Sequence, residues 1–571
     1  MILSGSFINL ILLNETRFSV AGSPVAHLTT LGWILMGRCN VLPLKKVRFQ
    51  TGVKHYESPL EEHHNNLDTN VDSPTTSTSR TTLLHSSPTS VSLPPIPRIL
   101  TISKSLEAEL LHSVERFFDV EADPSIKSLS PDESLAEEIF RTSTRRLPDG
   151  RYSVALPLKD SPEKLGPSRS QAIRRLYSME RKFSNNPSLR DAYCQFMQDY
   201  LDQGHMVKVS PPAFDQRTYY LPHHSVHRID DPPNKIRVVF NASFKTNTGY
   251  SLNDLLLPGP RLQLEIADVV TRFRLDRYVF TADVRQMFRQ ISHHLEDRNL
   301  LRIVWRFNPD SPIQDFNLCT VTYGTASAPW LANRVIKDLA QSHAESHPDA
   351  STILSNRVYV DDLNGGSNDI QGTIHIRNQL IDVLASAKLE LRKWATNQPE
   401  ILDGIPPHHR LPATTSLAVQ SEKNFNSDTD KMKILGVSWN PTGDFFHYSP
   451  TELENVETKR DLLSCISQIY DPLGWLSPIV IKSRIVFRQV ADQGFSWDST
   501  LPPDVQSQWN KIQSQLPNVR NLRIPRYMST SEESMLVGFC DASEQAYGCV
   551  IYVVSPQSHG NTVHLVSSKA K

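Results

Sequence analysis

The stretch "RVYVDDLNGG" sets two carboxylates side by side, Asp361 and Asp362, between an apolar strand-like run and a Gly-Gly pair that reads as a turn. Like charges at adjacent positions repel, so they need either water around them or a cation between them. A third carboxylate, Asp283, closes the apolar run of "RYVFTADVRQMFRQI" and should also stand at a strand end. Two divalent cations about 3.5–4 Å apart can bind both the attacking and the leaving oxygen of an in-line phosphoryl displacement. Mg²⁺ in such sites takes one or two carboxylates, with waters and substrate phosphates completing the shell. Asp and Gly are equally at home in a solvated hairpin tip, and these residues alone leave both readings open.

The neighbouring residues extend the chemistry. "KIRVVFNASFK" supplies Lys235 and Arg237 beside a strand, and Arg offers the planar donor fork that suits a triphosphate. Phe288, five positions after Asp283, is a ring that could lie beneath the sugar of an incoming nucleotide. In "TVTYGTASAPWLAN", the small residues after Tyr323 and Gly324 permit close backbone approach to a base pair. Each has an ordinary alternative as surface charge, core aromatic or turn.

The elements that must position these groups are bounded by the whole chain. At 571 residues it exceeds what one hydrophobic core fills, so several domains are expected. Its 39% hydrophobic and 21% charged residues are those of a globular protein. A net charge of −1 gives no global basic field, so any nucleic-acid site must be local. From Arg141 to Lys182 there are 11 Lys or Arg against four Asp or Glu, which makes such a local field. Six scattered cysteines without a C-x-x-C pair argue against a zinc site or a disulfide framework and fit a reducing, intracellular setting. No run of 18 apolar residues predicts a membrane span, and the N-terminus lacks the basic region of a signal peptide.

Residues 1–50 read as short strands. Between Ser73 and Ser92, 13 of 20 residues are Ser or Thr, a composition that cannot offset its ordering entropy and predicts a disordered linker over 51–98. An amphipathic segment, "SLEAELLHSVERFFDV", follows. "SRSQAIRRLYSMERKF" predicts a helix opened by a capping box of Ser168 and Gln171. The next helix has Asn186 as its cap, Pro187 at its first position, and Gly204 past its end. Strands and helices alternate from Tyr219 to Trp394, as in an α+β or α/β domain. "KILGVSWNPTGDFFHYS" reads as a hairpin, and "TKRDLLSCISQIYDPLGWLSPIVIKSRIVFRQV" as helices interrupted at Pro472 and Pro478. "SMLVGFCDASEQAYGCVIYVVS" reads as two strands around a turn, with Asp541 at the strand end.

The order of these motifs resembles that of retroelement reverse transcriptases over residues 205–440: a basic finger strand, "FTADVRQMF", "YGTASAP", "YVDD", "LRKW" and "KILGVSW". More closely, "GRYSVALPLK", "SRSQAIRRLYSMERK", "NASFKTNTGYSLNDLLLPGP", "YDPLGWLSPIVIKSR" and "FCDASEQAYG" resemble the Pao/BEL class of long-terminal-repeat retrotransposon polyproteins. The resemblance implies a multidomain α+β chain with a right-hand polymerase fold of palm, fingers and thumb. It further implies an incomplete RNase H-like α/β end and a small β remnant at the N-terminus. The implied boundaries are a protease remnant over 1–50, the linker, a basic helical extension over 99–204, fingers and palm over 205–440, a thumb or connection-like region over 441–530, and a truncated RNase H-like segment over 531–571.

The same resemblance assigns roles. Asp283, Asp361 and Asp362 would be the catalytic, metal-binding triad for two Mg²⁺ ions, with Mn²⁺ an alternative. Arg237 with Lys235 would contact the triphosphate, Phe288 would exclude a ribose 2′-hydroxyl, and Tyr323 with Gly324 would line the nucleotide pocket. Lys393 would help the leaving pyrophosphate, and Leu435, Gly436, Val437, Ser438 and Trp439 would form the primer grip. Asp541 would be the first carboxylate of the RNase H remnant. The implied partners are an RNA template, a DNA primer, deoxynucleoside triphosphates and the protease, RNase H and integrase segments of a polyprotein, with no membrane. The implied place is the cytoplasm, in a virus-like particle with access to the nucleus.

The chain departs from the family at several points. It contains no DTG or DSG, so no protease activity is expected, and it ends at Lys571 before further RNase H carboxylates. Asn241 replaces a more usual Asp, and Tyr323 a more usual Phe or Gln. The leading expectation is an RNA-directed DNA polymerase. A catalytically decayed nucleic-acid-binding fragment is the main alternative, and an aspartic peptidase the lesser one.

Overall fold

The computed structural model describes residues 12–17, 25–29, 32–36, 129–210, 217–226, 236–411, 432–448, 455–558 and 560–571. The expected linker, the amphipathic segment before Ala122 and Lys235 lie outside the described residues. The chain is mixed α/β and divides into two units, 1–122 and 123–571. In the first, Leu12–Arg17, Val25–Thr29 and Gly32–Met36 form an antiparallel sheet, matching the short strands read there.

The centre of the second unit is a four-stranded antiparallel sheet. Tyr278–Val284 lies between Asp362–Ser367 and Leu391–Thr396, and Val358–Tyr359 is the outer strand beside Asp362–Ser367. Alternation along Tyr278–Val284 divides its side chains by face. Phe280, Ala282 and Val284 pack with Leu363 against Val335, Ile336 and Leu339 of helix Ala328–Ser342 and Leu380, Val383 and Leu384 of helix Ile370–Ser386. Val279 belongs to another core, with Phe273, Trp439, Phe446 and Trp475. One strand thus ties two cores together and carries Asp283 out at its far end.

The basic helices form a separate core. Helix Pro187–Asp202 begins as expected, with Asn186 Oδ1 accepting from the Leu189 backbone N–H at 3.0 Å and Pro187 in the first turn. Helix Arg169–Asn185 starts where the spacing predicts, but its capping box does not form. Ser168 is buried, and its hydroxyl accepts the Tyr220 N–H at 2.7 Å instead. A tertiary donor has taken the local one's place. Leu176, Met179, Tyr193 and Met197 pack with Trp305 and Phe240, Tyr193 stacking on Trp305 at 5.2 Å.

"KILGVSWNPTGDFFHYS" forms more than a hairpin. Met432–Ile434, Val437–Asn440 and Phe445–His447 make a meander, which Arg523–Pro525 completes as a fourth strand. Helices Lys459–Ser467 and Ser477–Asp492 follow, and Pro478 sits in the first turn of the second rather than interrupting it, because a first-turn N–H needs no intrahelical partner. Met535–Ala542, Tyr547–Gln557 and Gly560–Ala570 form the C-terminal antiparallel sheet, with Asp541 near the strand end as read. Among the described residues, no helix is long and apolar enough to cross a membrane.

Candidate active site

The turn at Asp361 is not the one expected, and Asp362 already belongs to the strand that follows it. The chain reverses at Val360 and Asp361, and Gly365 and Gly366 lie inside strand Asp362–Ser367, paired with Phe280 and Val279. Glycine is required there by proximity: a Cβ on Gly365 would lie 2.6 Å from the Phe280 ring, and one on Gly366 would lie 2.3 Å from the Tyr278 carbonyl oxygen. Val360 instead takes a positive φ of 57°, an uncommon and strained conformation for a β-branched residue.

That turn brings the carboxylates together. Asp362 stands directly opposite Asp283 in the register of neighbouring strands, so both lie on the face away from the helices. The Asp361 carbonyl accepts the Val284 N–H at 2.8 Å, fixing the turn to the strand that carries Asp283. Crowding by protein atoms, then the charge of Asp283, raises the pKa of Asp361. Asp362, exposed at the strand end yet set against the protein, is pushed up to about 6 by desolvation, with Asp361 and Asp283 adding to it.

Lys393 joins them. Its Nζ lies 2.8 Å from Asp283 Oδ2, and it occupies an irregularity in the pairing of Leu391–Thr396, with a φ of 55°. Asp283, Asp362 and Lys393 border a cleft of about 260 Å³, whose other wall is Leu411, Lys433, Ile434 and Leu435. Thr281 and Asn364 also line it, and Thr281 Oγ1 and Asn364 Oδ1 are buried there without a protein hydrogen-bond partner. Sequence reading missed both residues, although each stands two positions from a carboxylate and so on its face of the sheet.

Phe288 is buried in the short helix Met287–Gln290, its ring 4.7 Å from that of the partly exposed Tyr323. Burial raises the Tyr323 pKa; Arg289 opposes this, Asp361 and Asp283 add to it, and Arg237 opposes it. Tyr323 is therefore within electrostatic reach of both the carboxylates and Arg237. Gly324, at φ 105°, packs so tightly on the Arg237–Phe240 strand that a Cβ would lie 1.9 Å from the Phe240 carbonyl oxygen. Asn253, which sequence reading passed over, holds this loop. Its Nδ2 donates to the Gly324 carbonyl at 2.9 Å, and its Oδ1 accepts the Ala326 N–H at 2.8 Å.

Of the expected primer grip, only the tip faces outward. Leu435 and Gly436, both at positive φ, make the two-residue turn, and the Tyr470 hydroxyl donates to the Leu435 carbonyl at 2.8 Å. Val437, Ser438 and Trp439 are buried, the Trp439 indole packing edge-on to Phe273 at 5.2 Å. They anchor the turn from within. Asp541 is remote in sequence, half-buried opposite Gly548 in the C-terminal sheet.

Among the described residues, no three His, Cys, Asp or Glu side chains converge into a ready metal cage. One or two carboxylates with waters and phosphates suffice for Mg²⁺, so the donor set at Asp283 and Asp361 fits that ion's chemistry.

A sheet end carrying three carboxylates and a lysine, flanked by an aromatic pair and a loop closed on the strand that Arg237 opens, is suited to handling phosphate esters. Residues 458–571 match the family model described as the Pao retrotransposon-like RNaseH-like domain. The likeness to that domain is confined to these residues, and it begins upstream of the 531–571 segment expected from sequence, taking in the three helices before it. No curated protein matches the chain. Among solved structures, the chain is similar to a foamy viral protease-reverse transcriptase in complex with double-stranded DNA, at 14% identity and a TM-score of 0.45, over 79% of this chain and 70% of that one.

Proposed function

We propose that residues 205–440 act as an RNA-directed DNA polymerase, extending a DNA primer on an RNA template with deoxynucleoside triphosphates. The observation that carries this reading is the register match of Asp283 with Asp362, with Asp361 held beside them by its bond to Val284. Two Mg²⁺ ions on Asp283 and Asp361, when bound, would supply the Lewis acidity that activates the primer 3′-hydroxyl and stabilises the leaving pyrophosphate.

The chain's own residues do the rest. Arg237 draws the triphosphate toward the Gly324 loop, whose backbone approaches closely because no Cβ intervenes. The Phe288 ring, braced by Tyr323, bounds the space for the sugar. Lys393, paired with Asp283, is positioned to release that carboxylate and neutralise phosphate charge as the substrate arrives. The Leu435–Gly436 turn, across the cleft from the carboxylates, steadies the primer end.

Primer extension on an RNA template with Mg²⁺, with Asp361→Asn as the control, tests the reading. Extension by wild type and none by the variant supports it. Salt-sensitive template binding without extension by wild type would leave a binding protein in its place.

A further inference from the structure

The cysteines that look scattered in sequence include one facing pair. Cys540 and Cys549 stand opposite each other in the antiparallel pairing of Met535–Ala542 with Tyr547–Gln557. Both thiols are free and exposed, whereas Cys319 and Cys465 are buried and Cys194 is half-buried.

The hydrogen-bond phase of the hairpin decides how close the pair comes. The N–H and C=O of Tyr547 both bond to Lys571 on the outer side, each at 2.8 Å, so Ala542 and Tyr547 are a non-hydrogen-bonded pair. The alternation of antiparallel ladders makes Cys540 and Cys549, two residues further along, the same kind. Such pairs have Cα atoms about 4.5 Å apart, at the near edge of the roughly 4.4–6.8 Å span of disulfides. Their Cβ atoms, about 4.5 Å apart, need only a small inward shift to reach the usual ~3.8 Å. On the same face the next pair is Gly538 with Ile551, and Gly538 has no side chain to cover the thiols.

We propose that Cys540 and Cys549 are a redox modification site, closing to a cross-strand disulfide by exchange with a low-molecular-weight disulfide such as oxidised glutathione. One cysteine thiolate attacks a glutathione sulfur, forming a mixed disulfide and expelling one glutathione thiolate. The second thiolate attacks the protein-side sulfur and expels the other. Two protein thiols are oxidised, one glutathione disulfide is reduced to two thiols, and the two protons pass through solvent to the departing thiolates. The bond spans strands that must shift to accommodate it, so it reopens readily in reducing buffer. It pins the register of the hairpin that carries Asp541 on its opposite face, one position away. The proposal is independent of the polymerase reading.

The test uses the full chain equilibrated over a series of oxidised-to-reduced glutathione ratios, acid-quenched, alkylated and mapped by peptide mass spectrometry. The expected result is joint loss of alkylation at Cys540 and Cys549, recovery of one peptide linking them, and reversal by dithiothreitol. Cys549→Ser should then leave Cys540 as a persistent glutathione adduct. Separate glutathione adducts on both wild-type cysteines, continued alkylation of both across the series, or links only between isotopically distinct chains would each overturn the proposal.

Discussion

Asp361 and Asp362 are neighbours in sequence with different surroundings. Asp361 sits in the turn, its carbonyl fixed to Val284, while Asp362 is strand-borne, exposed and held up to about 6 by its crowding. Asp361→Asn and Asp283→Asn should therefore lower primer extension by at least about 10³-fold, and Asp362→Asn by about 10–100-fold, the range of groups that support metal ligands. Equal losses at all three positions, read as kcat/KM under saturating Mg²⁺, would contradict the ranking. Asn253 offers a second contrast, since it touches the Gly324 loop and none of the carboxylates. Asn253→Ala should raise the nucleotide KM several-fold with a small change in kcat, and cost about 1–2 kcal/mol of stability from its lost bonds. A fall in kcat at unchanged KM would place its effect elsewhere.

Among the elements, the unit built on helices Arg169–Asn185 and Pro187–Asp202 has an acid-sensitive core. His223 is fully buried between the Tyr193 hydroxyl at 2.6 Å and the Val304 carbonyl at 3.1 Å, and burial lowers its pKa from 6.5 to about 4. A depressed histidine pKa means the unfolded chain takes up the proton first, so stability present above pH 6.5 is lost as pH falls toward 4. The full effect is on the order of 2–3 kcal/mol for this side chain. The difference between wild-type and His223→Gln denaturation midpoints should narrow by that amount across the window, and a pH-independent difference would refute it. Much of this unit was legible: Asn186, Pro187 and Gly204 punctuate a helix by local chemistry alone. The Ser168 cap was misread because its competitor, the Tyr220 N–H, lies 52 residues away. The site divides along the same line. Motif order picks out Asp283, Asp361 and Asp362, but the Gly-Gly pair looks like a turn until the Phe280 ring is seen against it, and neither the Val360 reversal nor the Lys393 ion pair leaves a local signal.

At the scale of the molecule, two buried arginines join the Pao-matched region to the sheet that carries the carboxylates. Arg274, at the end of helix Ile266–Phe273, is fully buried. Its guanidinium donates to the carbonyls of Pro525, Arg526, Leu565 and Val566 at 2.7–3.2 Å and lies over the Trp475 ring at 5.1 Å. Arg526 reaches the other way, donating to the carbonyls of Phe273, Asp276 and Arg277 and pairing with Asp444 through both oxygens. Each guanidinium donates to carbonyls of the other region, so the two regions hold each other in place. Removing Arg274 takes a donor from four carbonyls, of which Val566 keeps the Trp475 indole N–H at 3.0 Å, and opens a space beside Trp475, at a cost of about 3–5 kcal/mol. Arg274→Ala should thus expose the Gly560–Ala570 strand to limited proteolysis well before the Asp283 sheet is cut, because the sheet keeps its own core with helices Ala328–Ser342 and Ile370–Ser386. Arg274→Lys should rescue little, since a lysine ammonium has three donors and no planar fork to span carbonyls from two segments. Simultaneous cleavage of both regions would instead mean that they unfold as a single cooperative unit, with the arginines no more than part of a shared core.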